Sequence, residues 1–289
     1  MSQSLLLEAY LKRLKLPGVA RSYAALAREA ENTHQTYEGY LLALTEQEVQ
    51  QREANVQQAR LRQARFPAVK TLDQFDFSLV PHLNKPKLLH LAAGEYLEQR
   101  ENIILLGPNG TGKTHIATGL AVCACRLGKR VRFVTAPSLV NELIEARQSY
   151  RLSRVEAAYH RYDLLVVDEL GFVPFPRDGA ELLFNIFAGR YERRSTIVTS
   201  NLEFARWTEV LADQVLAGAL VDRLTHHAHI LKVDGESYRF RQSLRRATGC
   251  EDNGAPHTKR AEKKGKKTDD QPIPGPEKTI DQGVITMVL

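Results

Sequence analysis

The sequence predicts an α/β fold: a parallel sheet with helices on both faces, preceded by a small all-helical domain. Three observations lead there. From Asn102 onward, short apolar runs alternate with amphipathic helical segments, as in strands buried on both faces. The first apolar run leads directly into a glycine-rich loop that opens a helix. Before residue 66, apolar residues recur at helical spacing. Hydrophobic residues make up 43% of the 289, enough for an ordinary core. No apolar run reaches the roughly 20 residues of a membrane span, and the N-terminal stretch meets Glu8 and Lys12 too early for a secretory signal. Cys123, Cys125 and Cys250 are too few and too scattered for a disulfide framework or a zinc finger. The expectation is a cytoplasmic protein, with no membrane association and with inert thiols.

Four regions follow in order. Residues 1–66 read as a helical domain suited to binding a partner or DNA. Leu5, Leu6, Ala9, Leu14 and Leu16 trace a first helix, and Pro17-Gly18 interrupts it. Helical patterns then cover 19–30, 36–44 and 45–65. The last is rich in Gln, Glu, Arg and Ala, a strong helix former with a polar surface. Arg60, Arg62 and Arg65 bunch at its end, either as a solvated face or as contacts to phosphate or a partner, and Pro67 stops it. Residues 67–100 form a connector. Phe66, Leu72, Phe75 and Phe77 serve as apolar anchors, followed by a docking helix over 85–98.

Residues 101–250 carry the α/β core. Strands are expected at 103–106, 130–135, 164–167, 196–199 and 230–233. Helices are expected at 114–127, 138–148 (with Ser138 as cap), 152–160, 179–192 and 237–247, with more helix up to about Leu224. Residues 251–289, with KKGKK and PIPGPEK, have a composition too polar to fold and are expected to be disordered. This tail holds seven basic and seven acidic residues, so the net charge of +6 sits entirely on residues 1–250. A basic body attracts polyanions, nucleic acid above all, although many soluble proteins are equally basic.

The sharpest chemical signal is Gly107-Pro108-Asn109-Gly110-Thr111-Gly112-Lys113-Thr114, a complete G-x-x-x-x-G-K-[ST] between a strand and a helix. Its glycines let main-chain N–H groups face phosphates, and the helix N-terminus that continues through His115 adds partial positive charge. Lys113 is placed to reach the β- and γ-phosphates and the Thr114 hydroxyl to bind Mg2+. A second signal is the apolar strand 164–167 ending in Asp168-Glu169. Ligands bind at this edge of open α/β sheets. Asp168 would hold the magnesium and Glu169 would orient and deprotonate the attacking water. A small-molecule kinase has no use for that second acid, so the pair favours hydrolysis. A third is Thr196-Ile197-Val198-Thr199-Ser200-Asn201, a strand ending in polar residues, where Asn201 could hold the lytic water or sense the γ-phosphate.

Arginines that could neutralise transition-state charge are Arg193, Arg194, Arg223 and Arg239, and spacing does not choose among them. His226, His227 and His229 form HHxH on a helix-to-strand turn. Without acids at fixed spacing they make a poor metal set. Trp207 reads as core or interface.

Taken together, the three motifs in this order resemble the AAA+ ATPases. Within them the chain is similar to the IstB family, the ATP-binding helpers of insertion-sequence transposases, and to its relative DnaC, the replicative helicase loader. The likeness also rests on Leu14-Lys15-Leu16-Pro17-Gly18, on Phe66-Pro67 with Thr71-Leu72-Asp73-Gln74-Phe75, on Tyr191-Glu192-Arg193-Arg194-Ser195-Thr196, and on the stretch 226–246. It covers about residues 1–247. The resemblance implies an AAA+ core whose subunits assemble side by side with ATP between them. It makes Arg223 the finger that reaches the neighbour's nucleotide, and Arg239 the sensor contacting phosphate in its own subunit. An extra helix near 151–160, with Arg147, Arg151, Arg154 and Arg161 close by, would face double-stranded DNA. The implied role is an ATP- and Mg2+-dependent regulator of DNA transposition, a homo-oligomer that recruits an IstA-like transposase. The alternative is a DnaC-like loader. The motif from Leu14 to Gly18 and the long Gln/Arg helix favour the first.

Overall fold

A computed structural model describes residues 3–241 apart from Ala212, Glu236 and Arg239. The expected last helix at 237–247 therefore lies mostly outside the described residues, and the tail lies wholly outside them.

Three helices come first: α1 (Gln3–Arg13), α2 (Pro17–Thr33) and α3 (Tyr37–Ala64). Pro17 occupies the first turn of α2, where its missing N–H costs nothing. Gly18 is required next to it, because a Cβ there would lie 2.8 Å from Glu48 Oε2. Glu48, buried on α3, accepts the Gly18 and Val19 N–H groups at 2.7 and 3.2 Å and so caps α2 from outside. Arg52 bonds both Glu48 (2.7 Å) and the Lys15 carbonyl (2.9 Å). The Leu14-to-Gly18 motif is thus the turn that this Glu–Arg pair clamps.

The sequence suggested two helices over 36–65, but α3 runs unbroken. Thr45 returns its hydroxyl to the Leu41 and Leu42 carbonyls and stays within the helix. The C-terminal turns of α3 reach the α/β core, where Ala64 is fully buried and Phe66 meets Phe133 edge-on at 6.1 Å.

Two short 3-10 turns (Leu72–Gln74 and Phe77–Leu79) lead to α4 (Lys85–Ala92) and α5 (Glu95–Gln99). The single docking helix expected at 85–98 is split at Gly94, whose φ of +90° breaks it. The core then follows as β1 (Asn102–Leu106), α6 (Lys113–Arg126), β2 (Val131–Thr135), α7 (Ala136–Gln148), α8 (Leu152–His160), β3 (Leu164–Leu170), α9 (Arg177–Arg190), β4 (Ser195–Ser200), α10 (Thr208–Leu211), α11 (Gln214–Thr225) and β5 (Ala228–Lys232). All pairings are parallel, in the order β2-β3-β4-β1-β5. The cap of α7 is Thr135, not Ser138. With Pro137 in the first turn the helix starts earlier, and Ser138 gives its N–H to the Thr135 hydroxyl.

Alternate strand residues feed opposite faces. Ile104, Val134, Val167 and Val198 pack with α7, α9 and α11. Ile103, Leu105, Phe133, Val166 and Ile197 pack with α6, α4 and the connector. Trp207 is core, as read, with its indole N–H bonded to the Leu202 carbonyl. Burial raises both helix thiols, Cys125 to about 11, consistent with inert cysteines.

Candidate functional site

The glycine-rich loop is held on both flanks. Gly107 donates its N–H to the Ser200 carbonyl (3.2 Å), and Val233 donates to the Leu106 carbonyl (2.7 Å). Gly107 has φ +152°, and a Cβ there would lie 2.2 Å from the Val233 carbonyl oxygen. Gly112 opens α6 at φ +98°, with the Phe75 ring 2.6 Å from where a Cβ would sit. No side chain fits either position. Thr111 hydroxyl bonds the Pro108 carbonyl (2.9 Å), Asn109 and Gly110 form the tip, and the Gly110 carbonyl accepts from Tyr238 N–H (3.0 Å). Lys113 Nζ donates to the Gly107 and Pro108 carbonyls, each at 2.7 Å, so an ammonium lies within the loop. This glycine-lined cradle, with a helix N-terminus and a lysine in it, suits phosphate. The His115 side chain turns away, with Nε2 2.8 Å from the Thr71 carbonyl and its ring against Phe75. It can offer the cradle only its main-chain N–H.

Beside the loop, Thr114 Oγ1 donates to Asp168 (3.0 and 3.1 Å to its two oxygens), and Asp168 is buried. A hydroxyl and a carboxylate are the hard oxygen donors that Mg2+ takes. The sequence reading ended this strand at Val167, yet β3 continues to Leu170 through a bulge. Val167 pairs with Val198 and Leu170 with Ser200, so Asp168 and Glu169 together face Thr199. Glu169 has φ +62°, a conformation that costs a non-glycine residue roughly 1–2 kcal/mol. The bulge turns its side chain into solvent while Asp168 stays inside.

Thr199 is the functional residue that sequence reasoning missed. Its hydroxyl donates to Asp168 Oδ1 and accepts the Glu169 N–H at 3.0 Å, so one buried group sets both acids. The available signal was a hydroxyl within a central apolar strand, which must find a partner. Asn201, half-buried just past β4, shares this edge with Gly107 and Asp168.

The arginines lie elsewhere. Arg223 sits near the end of α11, its guanidinium 4.6 Å from the centre of the Phe184 ring. The adjacent Leu224 carbonyl accepts from Asn102, the first residue of β1. Arg223 is therefore at the opposite edge of the sheet from the loop, a full strand away, about 17 Å for five residues. Arg194 pairs with Asp163 (3.0 Å) at that far edge, and Arg193 precedes β4 there. None of the three reaches the loop of its own chain. Arg239 lies outside the described residues. Arg190, which no motif marked, is fully buried and donates to the carbonyls of Tyr159, Tyr162 and Ser195. Burial, then the charge of Arg194, pull its pKa down to about 9. Its role is structural.

Comparison with known proteins gives a consistent result. The family of IstB-like ATP binding proteins matches residues 9–246. An insertion sequence IS21 ATP-binding protein of Pseudomonas aeruginosa is 40% identical over 236 residues, covering 82% of this chain and 89% of that protein. An insertion sequence IS232 ATP-binding protein of Bacillus thuringiensis is 36% identical, covering 80% and 92%. Among solved structures, the DnaC helicase loader aligns at 20% identity over 51% of this chain and 86% of that one, with a TM-score of 0.46.

Proposed function

We propose that this chain, which belongs to the family of IstB-like ATP-binding proteins with an AAA+ P-loop core, hydrolyses ATP to regulate DNA transposition. The observation that carries hydrolysis is the split pair of acids: Asp168 locked inside against Thr114 and Thr199, Glu169 turned outward by the bulge. A site that only bound nucleotide would not need the second acid held in a costly conformation.

In this reading the loop N–H groups and Lys113 bind the phosphates of ATP. Thr114 and Asp168 would hold Mg2+, which when bound neutralises phosphate charge. Glu169 orients water and accepts its proton as the oxygen attacks the γ-phosphorus and ADP leaves. Asn201 orients the water or the γ-phosphate from the next strand. Arg223 acts on the neighbouring subunit, a contribution worth roughly 10³–10⁵ in rate for such arginines. Its place at the far edge supports side-by-side assembly, because it cannot serve its own loop. The family resemblance alone gives Arg239, outside the described residues, the role of contacting phosphate in its own subunit. The exposed Arg151, Arg154 and Arg161 around α8 would meet duplex DNA phosphates, with affinity falling steeply in salt. The relatives' names give an insertion-sequence context, and a transposase partner is the reading proposed from that context. Helices 1–66 would serve as the partner-binding domain and residues 101–250 as the ATPase.

The test is ATP hydrolysis and sedimentation of the purified chain, with and without duplex DNA, beside Glu169→Gln. Large complexes driven by ATP on duplex DNA, and trapped by Glu169→Gln, are expected. A chain indifferent to duplex DNA that instead forms a stoichiometric complex with a replicative helicase would overturn the transposition reading.

A further inference from the structure

Of the three histidines that made a poor metal set in sequence, His226 and His227 acquire a shared acid in the fold, whereas His229 pairs with Glu101. The turn between α9 and β4 brings Glu192 against the turn between α11 and β5. Glu192 Oε1 lies 3.9 Å from His226 Nδ1 and 3.8 Å from His227 Nε2, and the three potential ligand atoms fall within 4.8 Å of one another. These separations exceed a hydrogen bond. They come close to the roughly 3.4 Å edge of a tetrahedron with metal–ligand bonds of about 2.0–2.2 Å. We propose that Glu192, His226 and His227 form a binding site for a divalent transition metal of the zinc class.

Three further features fit. Glu192 is held at φ +55°, a left-handed conformation unusual for a glutamate, and Arg100 fixes it by donating to its carbonyl at 3.2 Å. The two imidazole rings are already gathered, with centroids 4.1 Å apart. His227 and Glu192 also line a surface cleft of about 290 Å³, together with Glu98, Arg100 and Glu101. Two imidazoles and one carboxylate, with a position left for water, make a ligand set that zinc commonly takes. Tyr191 is the competitor. Its hydroxyl is 2.8 Å from His226 Nδ1 and also bonds the Glu192 carboxylate, so it must release that nitrogen for metal to bind.

Bound metal would tie the end of α11 to the end of α9. Arg223 lies one helical turn before His226, so occupancy would stiffen the segment that presents Arg223 to a neighbour. This last consequence rests on the proposed role of Arg223, whereas the site itself does not.

The experiment is a zinc titration of the full chain, stripped with chelator, in competition with a chromophoric chelator. Glu192→Gln, His226→Ala and His227→Ala are measured beside it, with folding checked by circular dichroism. His90→Ala is the control, because it removes another exposed histidine beside a glutamate, 3.5 Å apart. One zinc per chain is expected, weakened about tenfold or more by each of the three variants and unchanged by the control. X-ray absorption should show nitrogen and oxygen neighbours with imidazole scattering. No binding by the wild type, equal binding by all four variants, or a sulfur shell from the cysteines would each overturn the site. Because the readout is binding, its failure leaves the ATPase reading standing, and failure of the ATPase reading leaves the site standing.

Discussion

Replacing Thr199 with valine removes one hydroxyl and almost no volume. In the structure that hydroxyl donates to Asp168 and accepts the Glu169 N–H at 3.0 Å, at a position 1% exposed. Valine leaves the Glu169 N–H without this acceptor, and an unpaired buried group costs about 1–3 kcal/mol. Asp168 retains Thr114 but loses its second tether. If the cost falls on the reacting arrangement, at about 1.4 kcal/mol per factor of ten, kcat for ATP hydrolysis falls by roughly tenfold to a hundredfold. The Mg2+ concentration for half-maximal rate should rise as well. Nucleotide affinity should stay within about threefold, because Lys113 and the loop carbonyls bond one another without Thr199. Thr199→Ser, which restores the hydroxyl, should recover most of the rate. Steady-state hydrolysis across a magnesium series, beside binding of a fluorescent nucleotide, reads all of these. A valine variant with wild-type kcat and magnesium dependence would refute the claim that Thr199 sets both acids.

Three other outcomes are expected. Arg223→Ala and Lys113→Ala should each be inactive alone, yet mixing them should restore part of the rate. The Lys113→Ala subunit still carries the arginine that an intact neighbouring loop needs, so no recovery on mixing would place Arg223 outside the reaction. Burial works to raise the Glu48 carboxyl, but Arg52 and the Val19 and Gly18 N–H groups outweigh it and hold the pKa below the usual carboxylate value. A depressed folded pKa means its stabilisation is complete above the unfolded value and fades as pH falls through the folded one. Melts of wild type and Glu48→Gln should therefore differ at neutral pH and converge in acid. Arg190→Met should strand the carbonyls of Tyr159, Tyr162 and Ser195. At about 1–3 kcal/mol for each group left unpaired, the loss should be about 3 kcal/mol or more, and calorimetry should show Tm lower by roughly 6–12 °C.

The parts of this molecule legible in sequence are those governed by local rules. Strand-to-loop-to-helix spacing placed Gly107 to Thr114, and an apolar run ending in acids placed Asp168 and Glu169. Both depend on residues adjacent in the chain. What stayed hidden depends on pairing between strands or turns. The bulge arises because β3 has one more residue than β4 between Val167 and Leu170. No property of Leu164 to Glu169 alone reveals that. Thr199 is ordinary in its strand until Asp168 lies beside it. Gly18 looked like a helix breaker, and only the approach of Glu48 from α3 shows why glycine stands there. Likewise, His226 and His227 lacked an acid only because Glu192 is distant in sequence and near in space.

Sheet geometry and local partners also bear on the choice among the arginines. Spacing alone left Arg193, Arg194 and Arg223 equivalent as sources of charge for the loop. In a parallel sheet every strand's C-terminal end lies on one edge, so residues just before β4 or β5 must lie on the other. Arg194 is engaged there by Asp163 at 3.0 Å, in a cluster that also includes Arg130. Arg223 instead rests on the Phe184 ring, a contact worth about 0.5–2 kcal/mol that an incoming phosphate could outbid. An arginine held on a neutral ring can move to an anion without leaving a carboxylate unpaired behind it. That asymmetry favours Arg223 over Arg194 as the charge offered to a neighbouring subunit. It also makes Phe184→Ala informative: if the ring only parks the side chain, the variant should keep full activity in mixed assemblies, and if the ring aims it, the rate should fall with nucleotide affinity unchanged.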